Sequence, residues 1–577
     1  MKIFINKGIL KGKRGKSLMK KLPYGISDYE RLIENNYYYV DKTKYIEKLE
    51  DLAEPYIMFL RPRKFGKTLF TSTLEYYYDI NAKDKFEELY GETYIGKNPT
   101  NLKNSYHILR FNFSGIDTEN EETTMRGFKE KVSISIQRFV NEYKMEFYIN
   151  PEQTPEGMLN NLFESFKHQK LGQKIYVIID EYDHFANELL SFNTGKFKEL
   201  VSKNGKVRKW YEILKEGTES VVDRIFITGV SPITLDSLTS GFNICSDETQ
   251  DRSFNEMLGF TKEELIKLMN NQEIDNEMQE ILLPIMKENY DGYKFNYRAQ
   301  EKIYNSNMCL YFLNQYTKYK EIPDKLVDVN IASDYSKLSK MLELCRGDKK
   351  RKILEKTVSG DGIAVEIVQK FNPVMEFQEE EFTSMLFYLG YLTINGEQAG
   401  YTTLTIPNKV MKEIYSEFFL KVIGEGLDID FGGNYVEIAR EIALEGKIDK
   451  IVEVTHKYLN NLSNRDYIKF DEKYVKLIFY CIAMNLKPFS VKTEPEVNRR
   501  YPDILIVPRD KSKNYKAVMV EFKYLKKEES MQLKEKQEEA RKQIEEYSQF
   551  EEMKDIDNLS KYTVVAVNDK IFMEKID

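Results

Sequence analysis

The sequence predicts an α/β protein built from several domains, and three observations predict it. The chain has 577 residues, and at roughly 150 residues per domain that calls for about three or four domains. Four short apolar runs, "PYIMFL" (55–60), "YHILRFNFS" (106–114), "KIYVIID" (174–180) and "RIFITGV" (224–230), alternate with amphipathic segments of helix length. Such β-branched and aromatic runs are buried on both faces, as in a mostly parallel sheet covered by helices. A second α/β pattern follows in residues 465–577, which read helix, strand, turn, strand, long charged helix, strand.

Taken in order, residues 1–21 form a basic extension with no acidic residue. It has no long apolar core of the kind a secretion signal needs, and Met19 is an alternative start. Residues 22–252 carry the parallel-sheet pattern. Residues 253–346 read as a helical lid, in which Thr261 and Glu264 of "TKEELIKLMNN" have the spacing of a capping box. In residues 347–464, "EEEFTSMLFYLGYLTINGEQAGYTTLTIP" reads as a helix and then a hairpin turning in "NGEQAG". That is a winged-helix-like module, followed by connecting helices up to a break at "NLSNRD".

The formal charge of −7 excludes a generic polyanion-coating protein but not a local nucleic-acid groove. No apolar run approaches the ~18 residues of a membrane helix, so no membrane partner is expected. Four cysteines, none spaced C-x-x-C, make no disulfide framework, and a reducing cytoplasm is the expected location. His107, His168, His184 and His456 have no metal spacing. Trp210 reads as a helix-packing residue, and residues 526–542 as a solvated charged helix.

The first candidate site begins in "IMFLRPRKFGKTLF" (57–70). Gly66, Lys67 and Thr68 follow an apolar strand and open an amphipathic segment, the context of a phosphate-binding loop. There, backbone N–H groups and the helix N-terminus face phosphates, the lysine reaches the β/γ oxygens and the hydroxyl binds Mg²⁺. The usual first glycine is replaced by Arg61, and Arg61 and Arg63 are candidates to add positive charge beside the phosphates. "KIYVIIDEYD" ends its strand in Asp180 and Glu181. Asp180 suits Mg²⁺ binding and Glu181 the polarisation of water, so ATP and Mg²⁺ are the expected cofactors. Thr228 and Ser231 close a third strand, where a polar residue senses the γ-phosphate; the alternative is a plain strand end.

The second candidate site lies in "VNRRYPDILIVPRDKSKNYKAVMVEFKYLKK". Asp503 opens one strand, and Glu521 and Lys523 share a face of the next. Hairpin pairing brings Asp503 to that face. Two carboxylates and an ammonium suit Mg²⁺-assisted phosphodiester cleavage, with Asp503 and Glu521 on the metal and Lys523 orienting water.

The ordered segments "LPYGISDYERLIENNYYYVDKT", "FLRPRKFGKTL", "VIIDEYD", "FITGVSPITLDSLTSGFN", "LGFTKEEL" and "YDGYKF" resemble the AAA-ATPase-like family, which usually carries a C-terminal PD-(D/E)XK nuclease-superfamily domain. The resemblance implies a P-loop NTPase fold followed by a restriction-endonuclease-like α/β domain. It implies that the loop without its first glycine is the family's own version. Asp503, Glu521 and Lys523 match the three signature positions of the nuclease pattern, Glu472 matches a further acid, and Gln543 with Tyr547 matches a Q-x-x-x-Y helix motif. The "YYYVDKT" segment looks like a strap on the nucleotide side, with Tyr37 to Tyr39 read as core packing and Asp41 and Lys42 left open. Two functions follow. One is an ATP-dependent or ATP-gated nuclease acting on DNA, in defence or the maintenance of mobile DNA. The other is a nucleotide switch that binds nucleic acid or protein, with a weak or silent nuclease fold.

Overall fold

The computed structural model describes residues 19–184, 206–232, 243–323, 325–328, 348–360, 362–369, 371, 378–424, 431–463, 472–493, 502–510, 513–554, 556–568 and 570–576. Most of the basic arm, the break at 464–466, part of the 509–514 turn and the residues 499–501 before Asp503 lie outside them. The chain divides into two compact units, Met1–Asp328 with Lys370–Pro373, and Val329–Gln369 with Val374–Asp577.

In the first unit the four apolar runs form β1 (Tyr56–Leu60), β2 (His107–Asn112), β3 (Ile175–Asp180) and β4 (Val222–Gly229). A two-residue β5 (Ser246–Asp247) completes a sheet of order β2-β3-β4-β1-β5, parallel throughout. The sequence reading missed β5, because two polar residues give no apolar run. The strand β4 separates β1 from β3, so the loops after β1 and β3 flank a crevice at the carboxyl edge of the sheet, where open α/β sheets bind ligands. Trp210 is fully buried and meets the rings of Phe111, Phe113 and Phe128 edge-on, which is the packing role read from the sequence. The helices Lys262–Asn271, Asn276–Tyr290 and Ser306–Tyr319 follow, and the Thr261–Glu264 capping box is formed.

Arg61 ends β1, and the structure corrects its expected role. Its backbone N–H continues the ladder to the Gly229 carbonyl, at 3.2 Å. Its side chain turns away from the loop and is 1% exposed. The guanidinium donates to the carbonyls of Leu60, Thr249 and Phe254 at 2.9, 2.7 and 2.9 Å. It lies 4.1 Å from the Phe59 ring centre and 3.9 Å from that of Phe295. Burial pushes its pKa down to about 9, which leaves it charged at neutral pH. Arg61 is therefore a structural cation, with no path to a phosphate.

In the second unit, β6 (Ile363–Val365), β7 (Thr393–Gln398) and β8 (Tyr401–Thr405) make an antiparallel sheet of order β6-β8-β7. The helix Glu379–Tyr388 precedes the hairpin, as expected. The turn is tighter than the sequence suggests: Ala399 and Gly400, at φ 54° and 89°, form it, while Asn395 and Gly396 belong to β7. A second sheet has the order β13-β12-β11-β10-β9, from β9 (Phe489–Thr493), β10 (Ile504–Pro508), β11 (Ala517–Leu525), β12 (Leu559–Val567) and β13 (Lys570–Ile576). Only the β11–β12 pair is parallel, and the helix Leu533–Tyr547 lies in the crossover between them. The helix Glu472–Met484 packs Phe479 edge-on against Phe522 of β11, 5.1 Å between ring centres.

Replacing Arg61 by Met keeps most of its volume but strands three buried carbonyls. We expect a loss of about 3 kcal/mol or more in the first unit. The single tryptophan sits in that unit, so urea unfolding followed by Trp210 fluorescence reads it directly. Arg63→Ala should leave that transition in place.

Candidate functional site

The loop after β1 makes its turn late. Lys64 and Gly66 take left-handed backbone, φ 68° and 98°. Gly66 is the N-cap of the helix Lys67–Tyr78, whose first N–H groups open onto a cavity of about 610 Å³. Arg63, Lys67 and Thr68 line that cavity, with Asn112 and Glu181 across from them. The loop is held from outside. Gly259 N–H donates to the Phe65 carbonyl at 3.0 Å, and Ser306 Oγ to the Lys64 carbonyl at 3.2 Å. The Phe65 ring meets Tyr293 and Phe295 edge-on, at 4.9 and 5.8 Å.

Lys67 is nearly buried. Its ammonium donates to the carbonyls of Arg61 and Pro62 at 3.1 and 3.2 Å and stands 3.9 Å from Glu181. A phosphate at the helix N-terminus would replace those bonds to neutral carbonyls with bonds in which both partners are charged.

Asp180 ends β3 with no exposed surface. Burial, with Glu181 next, raises its pKa to about 6, against the pull of Arg110, Lys67 and Thr68. One of its oxygens, Oδ1, is buried without a hydrogen-bond partner. The Thr68 hydroxyl lies close enough to this carboxylate to help its ionised form. An orphaned carboxylate oxygen beside a hydroxyl is a donor set that fits Mg²⁺. Glu181 adopts φ 53°, unusual for a residue with a Cβ, and that backbone turns it onto the cavity wall.

Thr228 is not placed to sense a phosphate. Its hydroxyl donates to the Phe59 carbonyl at 2.7 Å, inside the sheet. Ser231 is also committed, since its N–H and hydroxyl donate to Asp183 at 2.7 and 3.1 Å. A Cβ at Gly229 would lie 2.2 Å from the Asp183 carboxylate, so glycine is required between them. The second aspartate of "DEYD" thus ties β3 to the end of β4.

The strap differs from its reading as pure core. Tyr38 and Tyr39 are half-buried and line the cavity, as do Leu258, Phe260 and Asn307. Lys42 donates to the Glu256 carbonyl and to Glu264, at 2.9 and 2.7 Å, and Asp41 accepts from Thr43 and from Tyr94 N–H. His184 also lines the cavity, 4.0 Å from Glu181.

In the second unit the β10–β11 register pairs Ile504 with Val520, so Asp503 falls opposite Glu521. Asp503 N–H donates to Glu521 Oε2 at 3.3 Å, and Asp503 Oδ2 accepts Phe522 N–H at 2.7 Å. Lys523 Nζ donates to Glu521 Oε1 at 3.0 Å. Asp503 and Glu521 are both buried. Burial, and then Asp503, raises the Glu521 pKa to about 7, against the Lys523 ammonium. Burial also raises Glu472, which feels the charges of Lys523, Asp503 and Lys476, and so sits in the same cluster. Lys476, absent from the sequence reading, donates to Asp503 Oδ1. Its signal was the i,i+4 spacing from Glu472. On the helix Leu533–Tyr547, Gln543 Oε1 is buried without a partner, and Tyr547 packs against Leu505, Met519 and Met553. Tyr547 is thereby a packing residue.

Among the described residues no three acid, histidine or cysteine side chains form a closed metal cage. Two hard carboxylates on adjacent strands nevertheless fit Mg²⁺, which keeps several waters and takes only one or two carboxylates beside its phosphate.

Comparisons agree with this division. Residues 23–239 match the AAA-ATPase-like family, described as predicted AAA-ATPase, and residues 470–575 match the PD-(D/E)XK nuclease superfamily. An uncharacterized protein in the vnfD 5′ region of Azotobacter chroococcum mcd 1 is 26% identical over 244 residues. That alignment covers 42% of this chain and 43% of the relative, so the chain matches less than half of the relative's length.

The raised Glu521 pKa sets a pH dependence. A carboxyl that holds its proton up to about 7 must give it up before a cation binds, so protons and cations compete at Glu521. Divalent affinity at this cluster should fall with acidification below pH ~7, approaching tenfold per pH unit for one proton displaced. Calorimetric titrations at pH 6 and 8 should differ accordingly, and equal affinities would contradict the burial argument.

Proposed function

We propose that this chain, which joins an AAA-ATPase-like region to a PD-(D/E)XK nuclease superfamily domain, is an ATP-dependent or ATP-gated nuclease that uses Mg²⁺ and acts on DNA in the cytoplasm. We assign residues 22–252 to the ATPase core, 253–346 to its lid, 347–464 to the winged-helix-like and connecting part, and 465–577 to the nuclease. The observation that carries the reading is the convergence of Asp503, Glu521 and Lys523 on one face of a β-hairpin. Defence against mobile DNA, or its maintenance, is the setting such an enzyme suits.

In the nuclease site, Asp503 and Glu521 would hold Mg²⁺, which supplies a Lewis acid for the phosphodiester and a more acidic water. Phe522 N–H fixes the Asp503 carboxylate, and Lys523 is positioned to orient water and oppose the charge of the transition state. In the nucleotide site, Arg63, the Gly66 turn and Lys67 would bind phosphates, Thr68 and Asp180 would hold Mg²⁺, and Glu181 would polarise water. Tyr38, Tyr39 and Phe260 offer apolar walls for the nucleoside. No helix among the described residues is long and apolar enough to cross a membrane.

One observation favours the switch with a silent nuclease fold: every carboxylate oxygen of Asp503 and Glu521 already accepts a donor from the chain itself. Purified protein incubated with linear and supercoiled DNA, with and without Mg²⁺ and ATP, separates the two. Cleavage should require Mg²⁺ and vanish in Asp503→Ala and Glu521→Ala, both of which keep ATP affinity. Metal-dependent cleavage that survives both substitutions would refute the site.

Lys67→Ala should weaken ATP binding by about a hundredfold, since two charge-assisted bonds are lost. Glu181→Gln should still bind ATP but hydrolyse it slowly. Equilibrium binding and phosphate release read the two effects separately, and unchanged turnover in Glu181→Gln would remove Glu181 from its role.

A further inference from the structure

The two central acids of the C-terminal cluster each carry their own ammonium, and the two ammoniums arrive from different layers. Lys523 comes from the sheet, on the same strand as Glu521. Lys476 comes from the helix Glu472–Met484 and donates to Asp503 Oδ1. The other Asp503 oxygen is fixed by Phe522 N–H. The Asp503 side chain is 4% exposed and that of Lys476 25%, so water screens the pair only weakly. The lysine four residues after Glu472 belongs to none of the motif positions that the sequence reading used.

The charges show what Lys476 does to a cation. Asp503, Glu521 and Glu472 bring three negative charges, and Lys476 and Lys523 bring two positive ones. The cluster is nearly neutral before any metal enters. A divalent ion that approaches Asp503 meets an ammonium already on the same carboxylate, and both cannot keep their full bonds to Oδ1. We propose that Lys476 is a positioning residue that acts as the resident counter-cation of this site: it holds Asp503 oriented without metal, and its displacement from Oδ1 accompanies divalent-ion binding, which keeps metal affinity low. A cluster built this way stays closed on itself at low Mg²⁺. The inference rests on the reading of this cluster as a divalent-metal site.

The test is calorimetric titration of Ca²⁺ into the full chain at pH 8.5, where carboxyls are ionised, for wild type, Lys476→Met and Lys476→Arg. Circular dichroism and thermal unfolding establish that each variant is folded. Lys476→Met should bind Ca²⁺ about tenfold more tightly, on the scale of one removed neighbouring charge. Lys476→Arg keeps the charge and should match wild type, a rescue that a purely packing role for the side chain does not predict. If Lys476→Met loses the fold, Lys476→Gln replaces it, with the same tightening expected. Unchanged or weaker Ca²⁺ binding in a folded, uncharged variant overturns the inference while leaving the metal site standing. Absence of Ca²⁺ binding in wild type and in the folded, uncharged variant alike overturns the metal reading and the inference together.

Discussion

The buried guanidinium of Arg61 is the constraint on which the loop after β1 and its cavity depend. It stands where a phosphate loop usually has its first glycine, and it stays in strand register instead of turning. Its charge is satisfied by three carbonyls, two of them on the segment after β5, and by the faces of Phe59 and Phe295. A charge this deep is tolerated because Nη1 and Nη2 are hydrogen-bonded and the rings cover it, although the buried Nε has no hydrogen-bond partner. The segments around 249–254 and 293–295 are therefore obligatory partners of the loop. The turn itself moves to Lys64 and Gly66, where Gly259 and Ser306 grip the carbonyls of Phe65 and Lys64. A loop without that glycine is held by Gly259 and Ser306 rather than by its own tightness.

Both candidate sites use lysine in a similar way. Lys67 bonds the carbonyls of its own loop, and Lys523 and Lys476 bond the acids beside them. The acids of both sites are buried, and burial raises Asp180 and Glu521 toward neutrality. The lysines offset part of that cost in the absence of ligand. These internal bonds keep the lysine and carboxylate charges from standing unpaired in a low-dielectric setting.

The hairpin shows how local pattern and tertiary pairing divide the work. The E-x-K spacing puts Glu521 and Lys523 on one face wherever the strand lies. Only the antiparallel register, with Ile504 against Val520, brings Asp503 opposite Glu521. The third layer of that site is the helix Glu472–Met484, whose run of buried residues commits it to the sheet. Once it packs there, its polar edge presents Glu472 and Lys476 to Asp503 together.

The sequence by itself determined four of the five β-strands of the parallel sheet, the capping box at Thr261 and the helix before the hairpin, and it singled out Gly66, Lys67, Thr68, Asp180, Asp503, Glu521 and Lys523 as candidates. These are written in apolar runs, glycine placement and spacing along one chain, which obey local rules of period and backbone freedom. Tertiary structure alone decided that Arg61 points inward while Arg63 lines the cavity, that the hydroxyls of Thr228 and Ser231 are consumed within the fold, and that Tyr547 packs in the core. It also decided that Tyr38, Tyr39 and His184 line the same cavity as Lys67 and that Lys476 joins the acid cluster. The direction of an arginine, the partner of a hydroxyl and the company of a lysine depend on groups far away in sequence. Nothing in the local pattern encodes them until the layers have packed.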